Sequence, residues 1–338
     1  MATISDVARL AGVSLSTVSY ALSGKRPIRE ETRKRIFEVI DALNFAPNAL
    51  ARGLAGQRSS LIALLCPSGE RALGSSEMEL VSGAFERVHQ DGFQLLMWMT
   101  EAADLDELNR LLRLGLVDGV LVMEVHMRDE RIKLLQETGF PFVMLGRTEE
   151  PAGLDYSDTD FEQTVRIALD HLAGLGHQDI VFLNQPEKLL ADGYAPVIRI
   201  EQAVREIAAS AGLSLLVQRV GLTREEGRNA YATCRRELPN ASAVVSLNEP
   251  GTIAFMAAAI ADGRKIPVDL SVVSLIASGS VAEMSIPALT TSGPGLANVG
   301  WSGADALIRR LQGYDGGPIH KLASSELIIR ESTGQRKG

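Results

Sequence analysis

The chain begins with two short apolar patterns at helical spacing, separated by one tight turn. Their inward-facing residues repeat at three- and four-residue steps: Val7, Ala8, Ala11, Val18 and Leu22. Gly12 can take the positive φ that the turn needs, and Ser14 is a good N-cap for the second helix. The pattern predicts a helix-turn-helix, a motif that lays its second helix in the major groove of duplex DNA.

Two further features complete a small three-helix head. Thr3 and Asp6 stand at capping-box spacing before the first helix, with Asp in place of the usual Glu or Gln. A third helix is predicted from about residue 30 to residue 43, with apolar residues at helical spacing: Ile36, Val39, Ile40 and Leu43. Arg29 stands at its N-cap position and is a poor cap, so its guanidinium is either held for a phosphate or solvated.

Charge separates this head from the rest of the chain. Residues 1–58 hold nine Lys or Arg against five acidic residues, whereas the whole chain carries a net charge of −8. A basic end on an acidic protein concentrates the attraction to phosphate in one place and favours a defined docking orientation.

Length and composition indicate a globular chain of several parts. The 338 residues are 46% hydrophobic, enough for a head and two lobes of ordinary size. Cys66 and Cys234 lie far apart without metal-binding spacing, and no apolar run is long enough to span a membrane. Because the helical pattern starts almost at Met1, no signal peptide fits before it, so we expect a cytoplasmic protein without a membrane partner.

From residue 61 onward, short apolar strands alternate with amphipathic helices. The strands predicted from apolar runs fall in two sets, at 61–66, 94–99, 119–123 and 142–145, and at 180–183, 215–217, 243–246 and 271–274. The helices predicted between them lie near 79–90, 105–114, 161–175, 198–211, 224–238 and 252–262. The alternation predicts an α/β body of two doubly wound parallel-sheet lobes, which enclose a cleft where a ligand sits at the carboxyl ends of the strands.

Enzyme motifs are weak or missing. The chain has no Walker loop, no His-Glu-x-x-His and no Gly-x-Ser-x-Gly pattern, and Gly293-Pro294-Gly295 lacks the third glycine of a dinucleotide fingerprint. We therefore expect no catalytic residues, no cofactor and no metal.

Four segments of the head carry a specific resemblance: residues 4–22, 24–28, 32–33 and 43–55. Together they resemble the DNA-binding head and hinge of the lactose-repressor (LacI/GalR) family of bacterial transcription regulators. The match continues more loosely to about residue 330, through 171–177, 246–249, 271–273 and 287–291. The resemblance implies a helix-turn-helix domain at 1–46, a hinge at 47–58 and a periplasmic-binding-protein-like, effector-binding and dimerisation body at 59–338.

The family's hinge becomes a helix only on operator DNA, where a leucine from each subunit wedges into the central base step. By position that leucine is Leu54, and an ordinary linker is the alternative, although Leu50 and Leu54 would then be exposed without a use. Combined with the second helix, the resemblance predicts this DNA-binding set: Thr3, Ser14, Leu15, Ser16, Thr17, Ser19, Tyr20, Ser23, Arg26, Asn48, Ala51 and Leu54.

In the body, the resemblance implies an N-lobe of about 61–160 and 290–318, and a C-lobe of about 161–289 and 319–330. The predicted effector-binding residues are those at the family's ligand positions: Arg147, Arg199, Asn248 and Ile276. Two Asp residues of the sugar-binding members are replaced here by Gly146 and Ile276. With two arginines and no opposing Asp, the cleft would favour an anionic effector such as a sugar phosphate or organic acid, unless Arg147 pairs with Glu149, Glu150 or another surface acid.

The resemblance implies a ligand-responsive, sequence-specific DNA-binding repressor. We expect a homodimer on a pseudo-palindromic operator, because paired heads and hinges need two subunits. Its effector would be a small metabolite, namely a sugar, a sugar phosphate or an organic acid. The residues after 330 are too few for a tetramerisation helix. The alternative is a solute-binding protein of a transport or sensing system.

Overall fold

The computed structural model describes residues 3–23, 26–43, 59–67, 73–100 and 104–337. The chain separates into two compact units, one of Met1–Ile62 with Asp106–Asp118 and one of Ala63–Leu105 with Gly119–Gly338. Asn48, Ala51 and Leu54 of the predicted hinge lie outside the described residues, as does the side chain of Ser23.

The head contains α1 (Ile4–Ala11), α2 (Leu15–Ser23) and α3 (Glu30–Ala42). The predicted capping box is confirmed, because the Asp6 amide donates to the Thr3 hydroxyl at 3.3 Å and the Thr3 amide donates to the Asp6 carboxylate at 3.0 Å. Gly12 has a φ of 66° at the turn. The Ser14 hydroxyl accepts from the Thr17 amide at 3.1 Å, which confirms Ser14 as the cap of α2.

A small apolar core joins the three helices of the head. Its buried members come from all three: Val7, Ala8, Ala11, Val18, Ala21, Ile36 and Ile40. Arg29 makes no side-chain capping hydrogen bond at the start of α3, so this helix depends on its buried Ile36 and Ile40.

The body contains two six-stranded sheets. The elements of the first sheet and its helices are β1 (Leu61–Pro67), α4 (Ser75–Gln90), β2 (Gln94–Thr100), α5 (Leu105–Arg113), β3 (Gly119–Val122), α6 (Glu130–Thr138), β4 (Phe142–Leu145) and β5 (Tyr156–Thr159). The following elements are α7 (Phe161–Gly174), β6 (Asp179–Asn184), α8 (Glu187–Ala191), α9 (Ala195–Ser210), β7 (Ser214–Arg219), α10 (Arg224–Glu237), β8 (Ala243–Ser246), α11 (Glu249–Ala261), β9 (Ser271–Leu275) and α12 (Gly279–Met284). The chain ends with β10 (Thr290–Gly293), α13 (Leu296–Leu311), β11 (His320–Ala323) and β12 (Glu326–Ile328).

The first sheet has the order β11-β5-β4-β3-β1-β2, and the second has the order β12-β10-β9-β8-β6-β7. In the second sheet, successive residues of one strand enter opposite cores: Ile180 and Phe182 pack toward α7 and α9, whereas Val181 and Leu183 pack toward α10 and α11. All eight strands predicted from apolar runs are present. A sheet covered on both faces explains their continuous apolar character.

Two predicted lobe limits are wrong. Residues 290–293, assigned above to the N-lobe, form β10 in the second sheet, where Thr290 pairs with Val273. Residues 320–323, assigned to the C-lobe, form β11 in the first sheet, where His320 pairs with Tyr156. The chain therefore crosses between lobes after β5, after β10 and between β11 and β12.

The error has a physical cause, because β10 is a buried strand made of polar residues. Its hydroxyls and amides have internal partners: the Thr290 amide donates to the Ser332 hydroxyl at 2.8 Å, and the Ser292 hydroxyl donates to the Thr164 carbonyl at 2.7 Å. β5 is likewise buried along its whole length and mostly polar. Apolar patterning cannot find such strands.

Glycine allows α4 and α13 to pack with their backbones in contact. A Cβ on Gly83 would overlap the Ala297 carbonyl oxygen, and a Cβ on Gly300 would overlap the Leu80 carbonyl oxygen.

Within the described ranges, no helix combines the length and apolar character needed to cross a bilayer.

Candidate functional site

The second helix of the head presents most of the predicted DNA-binding residues together. Ser14, Leu15 and Ser16 are exposed, and Leu15 keeps 51% of its surface in solvent. A single exposed apolar residue is common on protein surfaces, so Leu15 gains its meaning only from the polar residues beside it. The Ser14 hydroxyl lies 2.8 Å from the hydroxyls of both Ser16 and Thr17, so these side chains form one polar cluster.

The remaining residues of this surface, Ser19 and Tyr20, are half-buried. The guanidinium carbon of Arg26 lies 5.2 Å from the centre of the Tyr20 ring, which holds a cation beside the helix. Thr3 lies at the cap of α1, where its hydroxyl donates to Asp6 at 2.7 Å. These hydrogen bonds from Thr3 lower the pKa of Asp6 to about 2, with a further contribution from Arg9.

A second candidate site is a cavity of about 240 Å³ between the two lobes of the body. Its wall is contributed by the carboxyl ends of strands β3 to β6, β8 and β9, and by the first turns of α4, α7, α9, α11 and α13. Of the four predicted effector residues, Ile276 belongs to the wall. Arg147 and Arg199 contact the wall through Asp158, and Asn248 does not line it.

Asp158 is the acidic residue that the sequence interpretation missed. It lies in β5, next to β4, and one carboxylate oxygen is 3.1 Å from Nε of Arg147 and 3.6 Å from a terminal nitrogen of Arg199. The expectation of two arginines without an opposing Asp is therefore wrong. The alternative prediction, that Arg147 pairs with an acid, is correct in part, because the acid is buried rather than on the surface.

The two oxygens of the Asp158 carboxylate are held in different ways. Oδ1 accepts from the Thr159 amide at 2.8 Å, whereas Oδ2 and the facing Nε of Arg147 are not aligned for a hydrogen bond. Burial raises the pKa of Asp158 to about 6, against the opposing effect of Arg147 and Arg199. Burial and the neighbouring Arg147 lower the pKa of Arg199.

A second carboxylate, Glu249, lies in the wall at the start of α11. It accepts from the Ser76 hydroxyl at 3.1 Å and from the Ser278 amide at 2.6 Å. Burial raises its pKa, and the negative charges of Glu77 and Glu79 add to the effect. Because Ser76 belongs to α4 in the first lobe, Glu249 also links the two lobes.

Asn248 has a structural position instead. Its Oδ1 accepts from the Gly251 amide at 2.8 Å and caps α11, and its Nδ2 donates to the Val220 carbonyl at 2.6 Å. The residue is fully buried, so its amide has no direction left for a ligand. The predicted effector contact of Asn248 is not supported by this geometry.

Two residues of the wall adopt left-handed backbone angles without being glycine. Glu124 has a φ of 49° and Ile276 a φ of 55°, the latter being unusual for a β-branched residue. Such backbone strain concentrates at ligand-binding sites. Gly293 makes the turn at Ile276 possible, because a Cβ there would lie 3.2 Å from the Ile276 backbone.

No group of three or more His, Cys, Asp or Glu side chains within the described ranges could hold a metal ion.

The sequence offered weak signals for the two missed acids. Glu249 follows directly after the strand-end Asn248, and Asp158 precedes the start of a predicted helix by three residues.

Comparisons with known families give two matches along the chain. The family described as bacterial regulatory proteins, lacI family, matches residues 3–48, and the periplasmic binding protein-like domain matches residues 169–333. The HTH-type transcriptional regulator CelR of Thermobifida fusca is 28% identical over 341 residues, which cover 98% of each chain. The HTH-type transcriptional repressor PurR of Aliivibrio fischeri (strain MJ11) is 28% identical over 327 residues, which cover 93% of each chain.

Solved structures agree with these matches. The complex of the transcriptional regulator CelR with cellobiose is 26% identical, with a TM-score of 0.73 over 98% of this chain and 100% of that one. The lac repressor dimer, bound to operator and the anti-inducer ONPF, has a TM-score of 0.83 over 98% of this chain and 99% of that one. At 22% identity, the latter shows the fold alone. The predicted fold class, a helix-turn-helix head with a two-lobed body, is confirmed.

Proposed function

We propose that this chain, a ligand-responsive transcriptional regulator of the LacI family, represses transcription as a homodimer on a pseudo-palindromic operator. A small molecule in the interlobe cavity would change its affinity for that operator. The observation that carries this proposal is the combination of an exposed, capped recognition helix with a cavity whose wall comes from both lobes.

The proposal assigns a role to each part of the chain. Residues 1–46 bind DNA, residues 47–58 form the hinge, and residues 59–338 bind the effector and dimerise. The outer side of α2, with the exposed Leu15 and Ser16 and the half-buried Tyr20, would contact base edges, and Arg26 would contact phosphate. The side chains of α2 contain no charge, so base readout would depend on hydroxyls and apolar contacts to thymine methyl groups.

Coupling between cavity and DNA follows from linkage. Arg199 of the second lobe donates to the Thr148 carbonyl of the first, and Ser76 of the first lobe donates to Glu249 of the second. A ligand that prefers one arrangement of these lobes shifts the equilibrium between arrangements. Ligand and operator must then change each other's affinity by the same factor.

The test is a DNA-binding titration followed by fluorescence anisotropy. Labelled DNA from upstream of the chain's own gene would be compared with shuffled DNA of equal length at several salt concentrations. We expect preferential binding to the upstream DNA, with affinity falling as salt rises, because phosphate contacts release counterions. Absence of DNA binding at low salt would instead favour a solute-binding protein.

Matched variants of the head sharpen this test. Arg26→Ala should weaken binding to both DNAs and reduce the salt slope by about one, as expected for one phosphate contact. Ser16→Ala should reduce the preference for the upstream DNA with the salt slope unchanged.

We further propose that the protein acts in the cytoplasm and is not an enzyme; its relatives CelR and PurR are named as regulators.

A further inference from the structure

We propose that Asp129 and Arg131 are positioning residues of the effector cavity. Their buried ion pair shapes the loop between β3 and α6, residues 123–129, so that this loop closes one side of the cavity against the second lobe. Neither residue lines the cavity, so both act through the loop. The inference rests on the function proposed above and concerns the same cavity.

The two side chains form a bidentate pair that is removed from solvent. Arg131 donates through Nε to one carboxylate oxygen of Asp129 at 3.0 Å and through Nη2 to the other at 2.7 Å. The side chains of Arg131 and Asp129 are only 3% and 2% exposed. A buried pair of this kind adds little stability over an apolar pair of equal volume, because the cost of desolvation offsets the attraction. Its distinctive property is geometric, since a guanidinium and a carboxylate fix each other in direction as well as in distance.

Both members of the pair also hold backbone groups of the loop. Nη2 of Arg131 donates to the Met123 carbonyl at 3.2 Å and to the Glu124 carbonyl at 2.8 Å. Asp129 accepts from the His126 amide at 3.1 Å, and it caps α6 by accepting from the Arg131 amide at 3.1 Å. Glu124 has a φ of 49°, a conformation that persists only where its surroundings restrain it. The guanidinium at the Glu124 carbonyl supplies that restraint.

The loop held in this way pairs with the segment before α9 in the second lobe. The Ala195 amide donates to the Val125 carbonyl at 3.1 Å, and the Met127 amide donates to the Gly193 carbonyl at 2.8 Å. The chain itself crosses between the lobes elsewhere, after β5, after β10 and between β11 and β12. This contact can therefore open without unfolding either lobe.

The two paired segments carry part of the cavity wall. Met123 and Glu124 line the cavity from the loop, and Tyr194, Pro196 and Val197 line it from the facing segment. An effector in the cavity touches both segments, so the fraction of molecules in which the segments are paired sets its apparent affinity. The buried pair controls that fraction through the shape of the loop.

Hydrogen exchange of the full chain, resolved to single amides by mass spectrometry, measures the opening of this contact. The amides of Ala195 and Met127 are the interlobe amides, and the amides of β6 and β8 serve as the internal reference. Arg131→Lys keeps the positive charge but loses the planar fork that holds two carboxylate oxygens and two carbonyls together. We expect the interlobe amides to exchange at least about tenfold faster in this variant, relative to the reference amides.

Arg310→Lys is the matched control. Arg310 forms a bidentate pair with Asp155 in the first lobe, at 2.6 and 2.8 Å, and neither residue lines the cavity. This variant should leave the relative exchange of the interlobe amides unchanged. If Arg131→Lys fails to fold, Asp129→Asn takes its place, because its amide oxygen can still cap α6 while the charge that fixes the guanidinium is removed. The same acceleration is expected.

Two results would overturn the inference: interlobe amides that exchange no faster than the reference in the Arg131 or Asp129 variant, or an equal acceleration in Arg310→Lys. DNA titration of the unmodified chain separates the inference from the proposed function. A protein that binds its upstream DNA, but whose interlobe amides are indifferent to the pair, loses only the inference. A protein that shows the acceleration but binds no DNA loses the proposed function, and the positioning of the cavity wall by the pair stands.

Discussion

Asp158 and Arg199 form an ion pair between the two lobes of the body, with 3.6 Å between a carboxylate oxygen and a guanidinium nitrogen. Asp158 is the penultimate residue of the polar strand β5 of the first lobe, and Arg199 lies in the first turns of α9 in the second. Arg199 also donates to the Thr148 carbonyl of the first lobe. The lobes are thus tied by charge at the wall of the cavity.

The raised pKa of Asp158 predicts a pH dependence of stability. The pKa is about 6 in the folded protein against 3.8 for the ordinary carboxyl, so the folded state binds the proton more tightly. The stabilisation from this proton is complete below pH 3.8 and is lost as the pH rises to 6. We expect a loss of up to about 3 kcal/mol across this window.

Urea unfolding followed by the fluorescence of Trp98 and Trp301 measures this effect. Other groups also titrate in the range, so the informative quantity is the difference between the unmodified chain and Asp158→Asn. That difference should change with pH between 4 and 6. Parallel stability curves for the two proteins would contradict the burial of an ionisable Asp158.

Close packing of α4 and α13 predicts a strong effect of alanine at Gly300. A methyl group there would overlap the Leu80 carbonyl oxygen, so the helices must separate. We expect the free energy of unfolding to fall by about 1 to 3 kcal/mol or more, despite the better helix propensity of alanine. The matched control is Gly174→Ala, because Gly174 ends α7 with no atom near its missing Cβ. This control should gain up to about 1 kcal/mol. Equal effects at the two glycines would argue against backbone contact between α4 and α13.

The capping position of Asn248 predicts that this residue stabilises the second lobe. Asn248→Ala removes the acceptor for the Gly251 amide and the donor to the Val220 carbonyl, and should cost about 2 kcal/mol. Asn248→Ser keeps a capping oxygen and should lose less. Thermal unfolding of both variants is the measurement. A direct ligand contact would give the opposite pattern, with little change in stability and a large loss of effector affinity.

The hinge, which lies outside the described residues, gives a prediction on DNA. If Leu54 wedges into the central base step, Leu54→Ala should weaken binding to operator DNA much more than to shuffled DNA, because only the operator is deformed at its centre. Anisotropy titrations on the two DNAs provide the comparison. Leu50→Ala serves as the control and should leave the ratio of affinities nearly unchanged. An equal loss on both DNAs for Leu54→Ala would return the segment to the role of a linker.

Local signals in the chain were sufficient for the head and for most of the body. The capping box of Thr3 and Asp6, the turn at Gly12 and the cap at Ser14 involve residues within three positions of each other, so sequence spacing specifies them. Apolar strands such as β6 and β8 are predicted from runs of neighbouring apolar residues, which are also a local signal. Strands buried on both faces must be apolar throughout unless each polar group has a partner.

β5 and β10 are the exceptions to that rule, and they decide the site. In β10 the polar side chains have distant partners, as Ser292 has in the Thr164 carbonyl, and in β5 Asp158 pairs with Arg147 and Arg199; no local pattern shows such partners. β5 carries Asp158 beside Arg147 because it pairs with β4, where Leu145 lies opposite Ser157.

The sequence alone therefore determined the class of protein, through a helix-turn-helix made of short-range contacts and a repeated alternation of strands and helices. Tertiary structure decided which residues line the cavity. Asp158, Glu249 and Gln185 lie far apart in the chain and meet only because strands and helix ends from two lobes converge on one space. Arg147 and Arg199, which suggested an anionic effector, face a buried acid, because β5 brings Asp158 beside both of them.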